Sequence, residues 1–344
     1  MRINNFTFYE IPEGENFDPS VIYANAPLTQ ARFYGEWQKQ SGREARRFSV
    51  KKDNEIVAYF QLIKYPLIWG KNYFYIPYGP IVKNFSEELI IALKQALLEI
   101  VKNDNIVFVR LDFTPASNEP ETALLKKTFH KAPLFTYHSA YFQPREEWFL
   151  KLNKSEEDIL KNIHQKTRYS IKVAERKGIK TEIIDTDIKN YFEIFYQLMN
   201  ETAKRNNFNI HPRQYYKNIF DNVDKNKNAY LSIAKYQDEI LVIGLIVIFA
   251  GVAHHIFAGS SDQYRNLRPS YLAHWTAFCY AKKAGCVYYN FGAVASDNKA
   301  DKQWDNLSDF KRKFGGQAEI HSKFYDLVIQ PFYYYLYNLR KFIK

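Results

Sequence analysis

LSIAKYQDEILVIGLIVIF, at residues 231–249, repeats the pattern of an earlier segment, FSVKKDNEIVAYFQLIK, at residues 48–64. Each segment has two runs of alternating apolar residues joined by a short polar turn, which is the pattern of a β-hairpin. Two copies of the same hairpin in a chain of 344 residues predict a duplicated structural unit.

The elements predicted after each hairpin also follow one order. After the first hairpin come strand 73–77, helix 86–102 and strand 106–113. After the second come strand 254–258, helix 270–284 and strand 287–291. A chance similarity between two hairpins is the alternative, but it does not explain four matching elements. We therefore predict an α/β (α+β) protein made of two similar units.

Composition limits the partners and the compartment. A net charge of +11 favours a polyanionic partner, either nucleic acid, a phosphorylated substrate or an acidic membrane surface. The 27 Tyr and 27 Phe could include rings that stack on bases or sugars, although most must be core. Cys279 and Cys286 form neither a disulfide pattern nor a metal-binding pattern, so we expect no metal and two buried thiols in a reducing cytosol.

Neither a signal peptide nor a membrane-spanning segment is predicted. The first residues lack an uninterrupted apolar core. The longest apolar run, 240–252, is too short to cross a bilayer and is rich in β-branched residues, so it is predicted to be a buried strand. The expected location is the cytoplasm, with peripheral contact with the inner membrane face left open.

Two basic segments are candidates for function. Residues 287–316 run from an aromatic strand through Gly292 and a polar loop into Lys311-Arg312-Lys313, a cluster suited to an anionic group or a developing oxyanion. Residues 155–178 are predicted to form one helix, capped at Ser155 and ended by Gly178. Its segment 161–177 has six Lys or Arg against one Glu. For each segment the alternative is an ordinary solvated basic surface.

Several motifs resemble those of the Fem (FemABX) aminoacyltransferases, and the resemblance covers nearly the whole chain, most strongly residues 163–178 and 255–331. The motifs are Phe310-Lys311, Phe314-Gly315-Gly316, Tyr325-Asp326 and KTRYSIKVAERKGI at 166–179. Members of that family transfer amino acids from aminoacyl-tRNA to the peptide stem of peptidoglycan precursors. The resemblance implies two tandem GNAT-like acyltransferase units. It also implies the compact type without a coiled-coil arm, because Gly178 leads directly into a predicted strand.

The resemblance also implies a division of the chain. Residues 1–150 plus 317–344 would bind the acceptor, and residues 151–316 would face the aminoacyl-tRNA. A C-terminal amphipathic helix from Tyr325 to Lys344 would pack back on the first unit.

The resemblance also implies catalytic roles for the residues at matching positions. Lys311 is expected to stabilise the transition state, with Phe310 beside it and Gly315-Gly316 allowing the backbone to approach the reacting ester. Asp112, after a buried strand, would either accept the proton of the acceptor amine or cap the next turn.

The residues expected to bind the substrates match the family's motifs less closely. The precursor's pyrophosphate would meet Lys39, Arg205, His211 and Tyr215, although the expected lysine and arginine positions fall on Gln38 and His211. The basic helix would contact tRNA through Lys166, Arg168 and Lys172.

The donor would be aminoacyl-tRNA as a co-substrate, with no other cofactor, and the acceptor a lipid-linked or UDP-linked muropeptide. An acyl-CoA-dependent N-acyltransferase is the first alternative, but the turns 78–82 and 265–269 lack the glycines of a pyrophosphate loop. A non-enzymatic RNA-binding protein is the second, and it leaves the 287–316 motif without a role.

Overall fold

The computed structural model describes residues 1–133, 143–295 and 305–339. In those ranges the strands are β1 (Arg2–Ile3), β2 (Phe6–Glu10), β3 (Ala45–Lys52), β4 (Glu55–Pro66), β5 (Asn72–Ile76), β6 (Ile81–Val82), β7 (Ile106–Leu111), β8 (His130–Lys131), β9 (Glu146–Lys151), β10 (Ile179–Ile184), β11 (Ala229–Tyr236), β12 (Glu239–Phe249), β13 (Val252–Ser260), β14 (Tyr288–Ala293), β15 (Gln317–Ile320) and β16 (Tyr325–Val328). The helices are α1 (Arg32–Gln40), α2 (Glu87–Val101), α3 (Glu119–Thr128), α4 (Glu156–Asn162), α5 (Gln165–Arg176), α6 (Phe192–Asn206), α7 (Arg213–Asn226), α8 (Pro269–Lys283), α9 (Asp305–Arg312) and α10 (Pro331–Leu339).

The chain divides into two compact units. The first combines Met1–Arg145 with Ile320–Lys344, and the second is Glu146–Glu319. Each unit has its own buried apolar core, which for the first lies between its sheet and α2 and for the second between its sheet and α8. The assignment of an acceptor side and a tRNA side to these units stays a prediction.

The first unit is built on a sheet with strand order β1-β2-β3-β4-β5-β7-β16-β8, and β6 pairs with β4. The β3–β4 hairpin, β5, α2 and β7 follow the order predicted from the repeat, and β5 runs parallel to β7. α2 begins where predicted because Ser86 Oγ accepts the backbone N–H of Leu89. Its apolar face packs on the sheet with Leu89, Leu93 and Leu97 at most 2% exposed.

The second unit repeats this topology in the strand order β10-β11-β12-β13-β14-β9-β15. The β11–β12 hairpin leads to β13, then α8, then β14, and β14 is parallel to β13. The segments 48–113 and 230–291 therefore share one arrangement of four elements, and the duplication predicted from the sequence is confirmed. The long apolar run 240–252 lies mostly in the buried strand β12, as predicted.

The predicted basic helix 155–178 is wrong in one respect, because it is two helices, α4 and α5. Ser155 caps α4 as expected, but Ile163 is extended and His164 Nδ1 accepts the Lys166 N–H to begin α5. Gly178, at φ +85°, ends the segment as predicted. In the part of the chain that the structure describes, β10 then starts at Ile179 and no long helical hairpin is inserted.

The predicted C-terminal helix is also wrong at its start. Residues 325–328 form β16, which pairs antiparallel with β7, and the helix is α10, at 331–339. The end of the prediction, 340–344, lies outside the described residues. Arg110 of β7 and Asp326 of β16 are both fully buried and form a two-pronged ion pair of 2.7 and 2.8 Å. Tyr334 and Tyr337 of α10 bond to the same pair. The C-terminal segment therefore completes the first unit.

No helix among the described residues is long and apolar enough to cross a membrane.

Candidate active site

The second unit has a gap between its two parallel strands. β13 and β14 pair only from Val252 to His254 on one side and Tyr288 to Asn290 on the other. β13 continues to Ser260 and β14 to Ala293, so the carboxyl ends of the two strands diverge. In α/β folds, ligands bind where the carboxyl ends of parallel strands separate. This divergence is the candidate site.

The corresponding strands of the first unit do not diverge. β5 and β7 stay paired to Ile76 and Leu111. Beyond them the Asp112 N–H donates to the Gly79 carbonyl at 3.0 Å, and the Thr114 N–H donates to the Pro80 carbonyl at 3.0 Å. The seam of the first unit is therefore closed by backbone hydrogen bonds, and the comparable opening belongs to the second unit.

Lys311 lies beside the divergence at the end of α9. Its ammonium donates to the carbonyl of Ala293, the last residue of β14, over 2.5 Å. α9 is held there by two further contacts, in which Ser308 Oγ accepts the Ala295 N–H and Arg312 donates to the Ala295 carbonyl. The polar loop that precedes α9, residues 296–304, lies outside the described residues.

Burial lowers the pKa of Lys311 to about 8, since its side chain is only 8% exposed. Glu147 opposes this change and raises the pKa, because its carboxylate favours the ammonium form. Glu147 lies directly across from Ala293 in the β9–β14 pair, so the carboxylate and the ammonium are held at the same strand end. A lysine in this setting is a compact cation in a desolvated place, where charge acts strongly on a bound ligand.

An aromatic cluster with two neutral histidines packs beside Lys311. His274 of α8 contacts the rings of Phe310 and Phe314 at 5.4 Å and the ring of His255 at 4.8 Å. Burial lowers the pKa of His274 to about 3 and holds that of His255 well below its usual value, and the Lys311 charge lowers both further. The predicted place of Phe310 and Phe314 beside the lysine is therefore found, with neutral imidazoles completing the packing.

His254 presents a buried N–H donor at the point where the pairing of β13 with β14 ends. The Gly292 N–H donates to Asn290 Oδ1 at 2.7 Å, which orients the amide so that Asn290 Nδ2 faces His254 Nδ1 at 3.3 Å. Nδ1 therefore accepts, and the ring carries its proton on Nε2. Burial lowers the pKa of His254 to about 4, so the ring is neutral at pH 7. Among the described residues Nε2 has no hydrogen-bond partner.

Close packing and backbone conformation require glycine at both positions after α9. A Cβ at Gly316 would lie 2.3 Å from the Phe149 carbonyl oxygen, and one at Gly315 would lie 3.1 Å from the Asn162 carbonyl oxygen. Both also have positive φ, at +95° and +82°. Both glycines therefore pack closely within the second unit, chiefly against β9. The expected approach of this backbone to a reacting ester stays a prediction.

Asp112 lies in the first unit and is 1% exposed. Its carboxylate accepts the Tyr75 hydroxyl at 2.9 Å and the Tyr78 N–H at 2.7 Å. Burial raises its pKa well above the usual value, against the opposing effect of these hydrogen bonds. The carboxyl thus holds the turn at Tyr78, which follows β5, instead of the predicted turn after Asp112 itself. The predicted role in accepting the proton of the acceptor amine stays a prediction.

The predicted precursor-binding residues are divided between the two units. Lys39, on α1, forms an ion pair of 2.7 Å with Glu13 in the first unit. The other three are on or near α6 and α7 in the second unit. Arg205 donates to Ser260 at the end of β13, at 3.0 Å to the carbonyl and 2.7 Å to the hydroxyl. The ring centroids of His211 and Tyr215 lie 4.1 Å apart, with the ring planes tilted by 36°. Their roles in binding stay predictions.

The predicted tRNA-binding residues differ in exposure. Lys166 and Lys172 are exposed on α5. Arg168 is half-buried, and its guanidinium donates to the carbonyls of Lys161 and Ile163 at the end of α4. Arg168 therefore holds the break between the two helices, and the two lysines are the better candidates for a polyanion.

Sequence reasoning missed Glu147, His254, His255, His274 and Asn290. The adjacent histidines at 254–255 were a usable signal, because an alternating strand sends one to each face. The partners of these histidines come from α8 and β14, and no short spacing in the sequence joins them. Glu147 could not be predicted from the sequence, because only the register of β9 against β14 places it opposite Ala293.

Comparison with known proteins agrees with this architecture. The FemAB family model matches residues 22–240 and 224–341. Lipid II:glycine glycyltransferase of Staphylococcus aureus (strain USA300) is 23% identical over an alignment 384 positions long, which covers 90% of each chain. Two solved structures share the fold. The crystal structure of FemX has a TM-score of 0.81 at 19% identity, covering 96% of this chain and 100% of that one. A tandem GNAT protein from the clavulanic acid biosynthesis pathway has a TM-score of 0.56 at 9% identity, covering 94% and 98%. The predicted tandem GNAT-like fold is confirmed, and the chain belongs to the FemAB family.

Proposed function

We propose that this FemAB-family transferase moves an amino acid from aminoacyl-tRNA to an amine on the peptide stem of a peptidoglycan precursor. The observation that carries the proposal is Lys311, a buried lysine with a lowered pKa at the diverging ends of two parallel strands. The relatives named as lipid II:glycine glycyltransferases support an acceptor of this class. Since charged tRNA is a cytoplasmic molecule, the reaction would take place in the cytoplasm, with no cofactor besides the tRNA.

In the proposed reaction the acceptor amine attacks the ester carbonyl carbon of the charged tRNA. A C–N bond forms, the carbonyl oxygen becomes an oxyanion, and the C–O bond to the terminal ribose then breaks. The amine loses a proton and the ribose oxygen gains one, so the step is balanced without an oxidant or reductant. Lys311 would donate to the oxyanion, which carries its full charge only near the transition state.

His254 is suited to a supporting part in this step. Its Nε2–H is a neutral donor that needs no proton transfer to act, and it lacks a partner among the described residues. A preorganised donor in a dry place stabilises charge more than one in water does. Glu147 raises the pKa of both His254 and Lys311, whereas the Lys311 charge lowers the pKa of His255 and His274.

The test offers the purified protein a mixed pool of charged tRNAs together with lipid-linked and UDP-linked precursors, and reads the product by mass spectrometry. We expect the precursor to gain the mass of one or more amino acid residues, and only when charged tRNA is present. Lys311→Ala is the matched inactive control, and Lys313→Ala, which removes a neighbouring exposed lysine, should remain active. A precursor or other amine that gains an acyl group from acyl-CoA without tRNA would replace this proposal with the CoA-dependent alternative.

A further inference from the structure

A cavity of about 310 Å³ lies in the second unit, between α5 and the turn that leads into α8. Its lining residues are Tyr169, Val173, Arg176, Lys177, Asn266 and Arg268. None of them belongs to the site around Lys311. The volume falls within the range of pockets that hold small organic ligands, and one nucleotide is of that size.

The charge of the cavity is positive and unbalanced. Three of its six lining residues are cations and none is acidic. Among the described residues, neither Arg176 nor Lys177 forms an ion pair or a side-chain hydrogen bond, so both are free to bind an anion. Arg268 is fixed differently, because its guanidinium donates to Ser170 Oγ at 2.7 Å. The cavity thus offers two unpaired cations and one oriented cation to a phosphate group.

An aromatic ring stands at the same place. Tyr169 is 56% exposed although it is a large side chain, and its ring lies against the Arg268 guanidinium at 5.5 Å. An exposed ring backed by a guanidinium is a suitable platform for a nucleobase, since stacking on aromatic side chains tolerates any base. Cations that meet phosphates, interleaved with a stacking ring, are the features of a site for single-stranded nucleic acid.

The cavity is also linked to the chemistry by α8. Arg268 immediately precedes this helix, and Tyr271, in the first turn, packs its ring on Phe310 at 5.2 Å. Phe310 is the neighbour of Lys311 in α9. The first turn of α8 and the contact between the Tyr271 and Phe310 rings thus join the cavity to the helix that carries Lys311.

We propose that this cavity binds a backbone phosphate near the 3′ end of the tRNA donor, with Tyr169 stacking on an adjacent base. The proposal rests on the proposed function, in which the donor is aminoacyl-tRNA. It assigns Arg176, Lys177, Arg268 and Tyr169 to donor binding, and it separates donor binding from the transfer step at Lys311.

The test measures binding of fluorescently labelled deacylated tRNA to the full-length protein by anisotropy over a range of salt concentrations. The double variant Arg176→Gln, Lys177→Gln removes the two unpaired cations. Its matched control is Lys204→Gln, Lys225→Gln, which removes two exposed cations from α6 and α7 of the same unit. We expect the cavity variant to bind about tenfold more weakly and its slope of log affinity against log salt to fall by about 0.7 for each phosphate that the protein no longer neutralises. The control should match the wild type.

Substitutions at Tyr169 test the stacking part of the proposal independently. Tyr169→Ala should weaken binding about tenfold with an unchanged salt slope, whereas Tyr169→Phe, which keeps the ring, should bind as the wild type does. Thermal melting of each variant checks that the unit stays folded. An equal effect of both Tyr169 variants would contradict stacking.

The outcomes separate this proposal from the proposed function. If charged tRNA serves as donor in the transfer assay but the cavity variant binds tRNA as its control does, the cavity assignment is wrong and the proposed function stands. If the wild type binds no tRNA and transfers from another donor, both are wrong. If the cavity variants lose bound CoA but bind tRNA as the wild type does, the phosphate-binding residues of the cavity serve CoA. That result would overturn the cavity proposal.

Discussion

Replacement of Lys311 by methionine should stabilise the protein at pH 7, and the stabilisation should fade as the pH rises. The physical reason is the desolvation that lowers the Lys311 pKa from 10.5 to about 8. Between these two values the folded chain binds fewer protons at this position than the unfolded chain does. Stability therefore rises with pH across that window, and methionine, which does not titrate, removes the dependence.

The magnitude follows from proton linkage. A lowering by about two and a half pH units corresponds to about 3 kcal/mol of unfolding free energy at pH 7, where the penalty on the charged lysine is fully present. At pH 9.5 about 1.5 kcal/mol of that penalty remains. The difference between the two pH values does not depend on how methionine packs, because packing is the same at both, and it is the quantity to test.

Urea denaturation followed by circular dichroism at pH 7, 8.5 and 9.5 would measure this difference for the wild type and Lys311→Met. Lys313→Met is the matched control, since Lys313 is exposed, and its effect should be independent of pH in this range. An advantage of Lys311→Met that is equal at pH 7 and pH 9.5 would show that Lys311 titrates as a solvated lysine. Lys311 would then not be a desolvated cation at the candidate site.

Further predictions concern catalysis, stability and donor binding. Lys311→Ala should lower turnover about 100-fold or more with substrate affinity nearly intact, and Lys311→Arg should restore it only in part; a loss confined to KM in steady-state kinetics would instead indicate ground-state binding. In the wild type, kcat/KM should fall as the pH rises through about 8, because the ammonium of Lys311 is lost there, and a profile still rising at pH 9 would contradict this role. Arg110→Met should destabilise the first unit by about 3–5 kcal/mol in urea denaturation, since it leaves the buried Asp326 carboxylate without its partner, and a change under about 1 kcal/mol would show that the pair is not truly dry. Lys166→Gln with Lys172→Gln should lower the salt dependence of tRNA binding, and an unchanged slope would show that this face of α5 is only solvated.

The sequence predicted those parts of the fold that depend on local periodicity. Both hairpins, α2 with its Ser86 cap, and α8 were found at or near their observed bounds, because apolar spacing and caps act over a few residues. The break at Ile163 was missed, since it depends on Arg168 reaching back to the carbonyls of α4. β16 was taken for helix because its pairing with β7 joins residues more than two hundred positions apart.

The candidate site likewise has parts that the sequence predicted and parts that depend on tertiary packing. Lys311 could be found from its motif, but its burial could not, because burial is set by β14 and by rings contributed from α8. Asp112 was correctly expected at a strand end, yet its hydrogen bonds to Tyr75 and Tyr78 follow from the turn that closes the first unit. Sequence patterns identified chemical groups, while the environment that tunes them came from tertiary packing.

The place of β16 in the first sheet has a consequence for synthesis on the ribosome. β7 leaves the exit tunnel with one edge unpaired and with Arg110 lacking its buried partner. The strand edge and Arg110 both stay unpaired until residues 325–328 have also left the tunnel. The second unit is one continuous segment, Glu146–Glu319, and all of it is made before β16. The unit encoded in the middle of the gene can thus finish folding first, while the N-terminal one remains incomplete. A nascent chain stalled shortly before residue 325 should expose a bare strand edge and an orphaned cation, which makes it a natural target for chaperones and proteases.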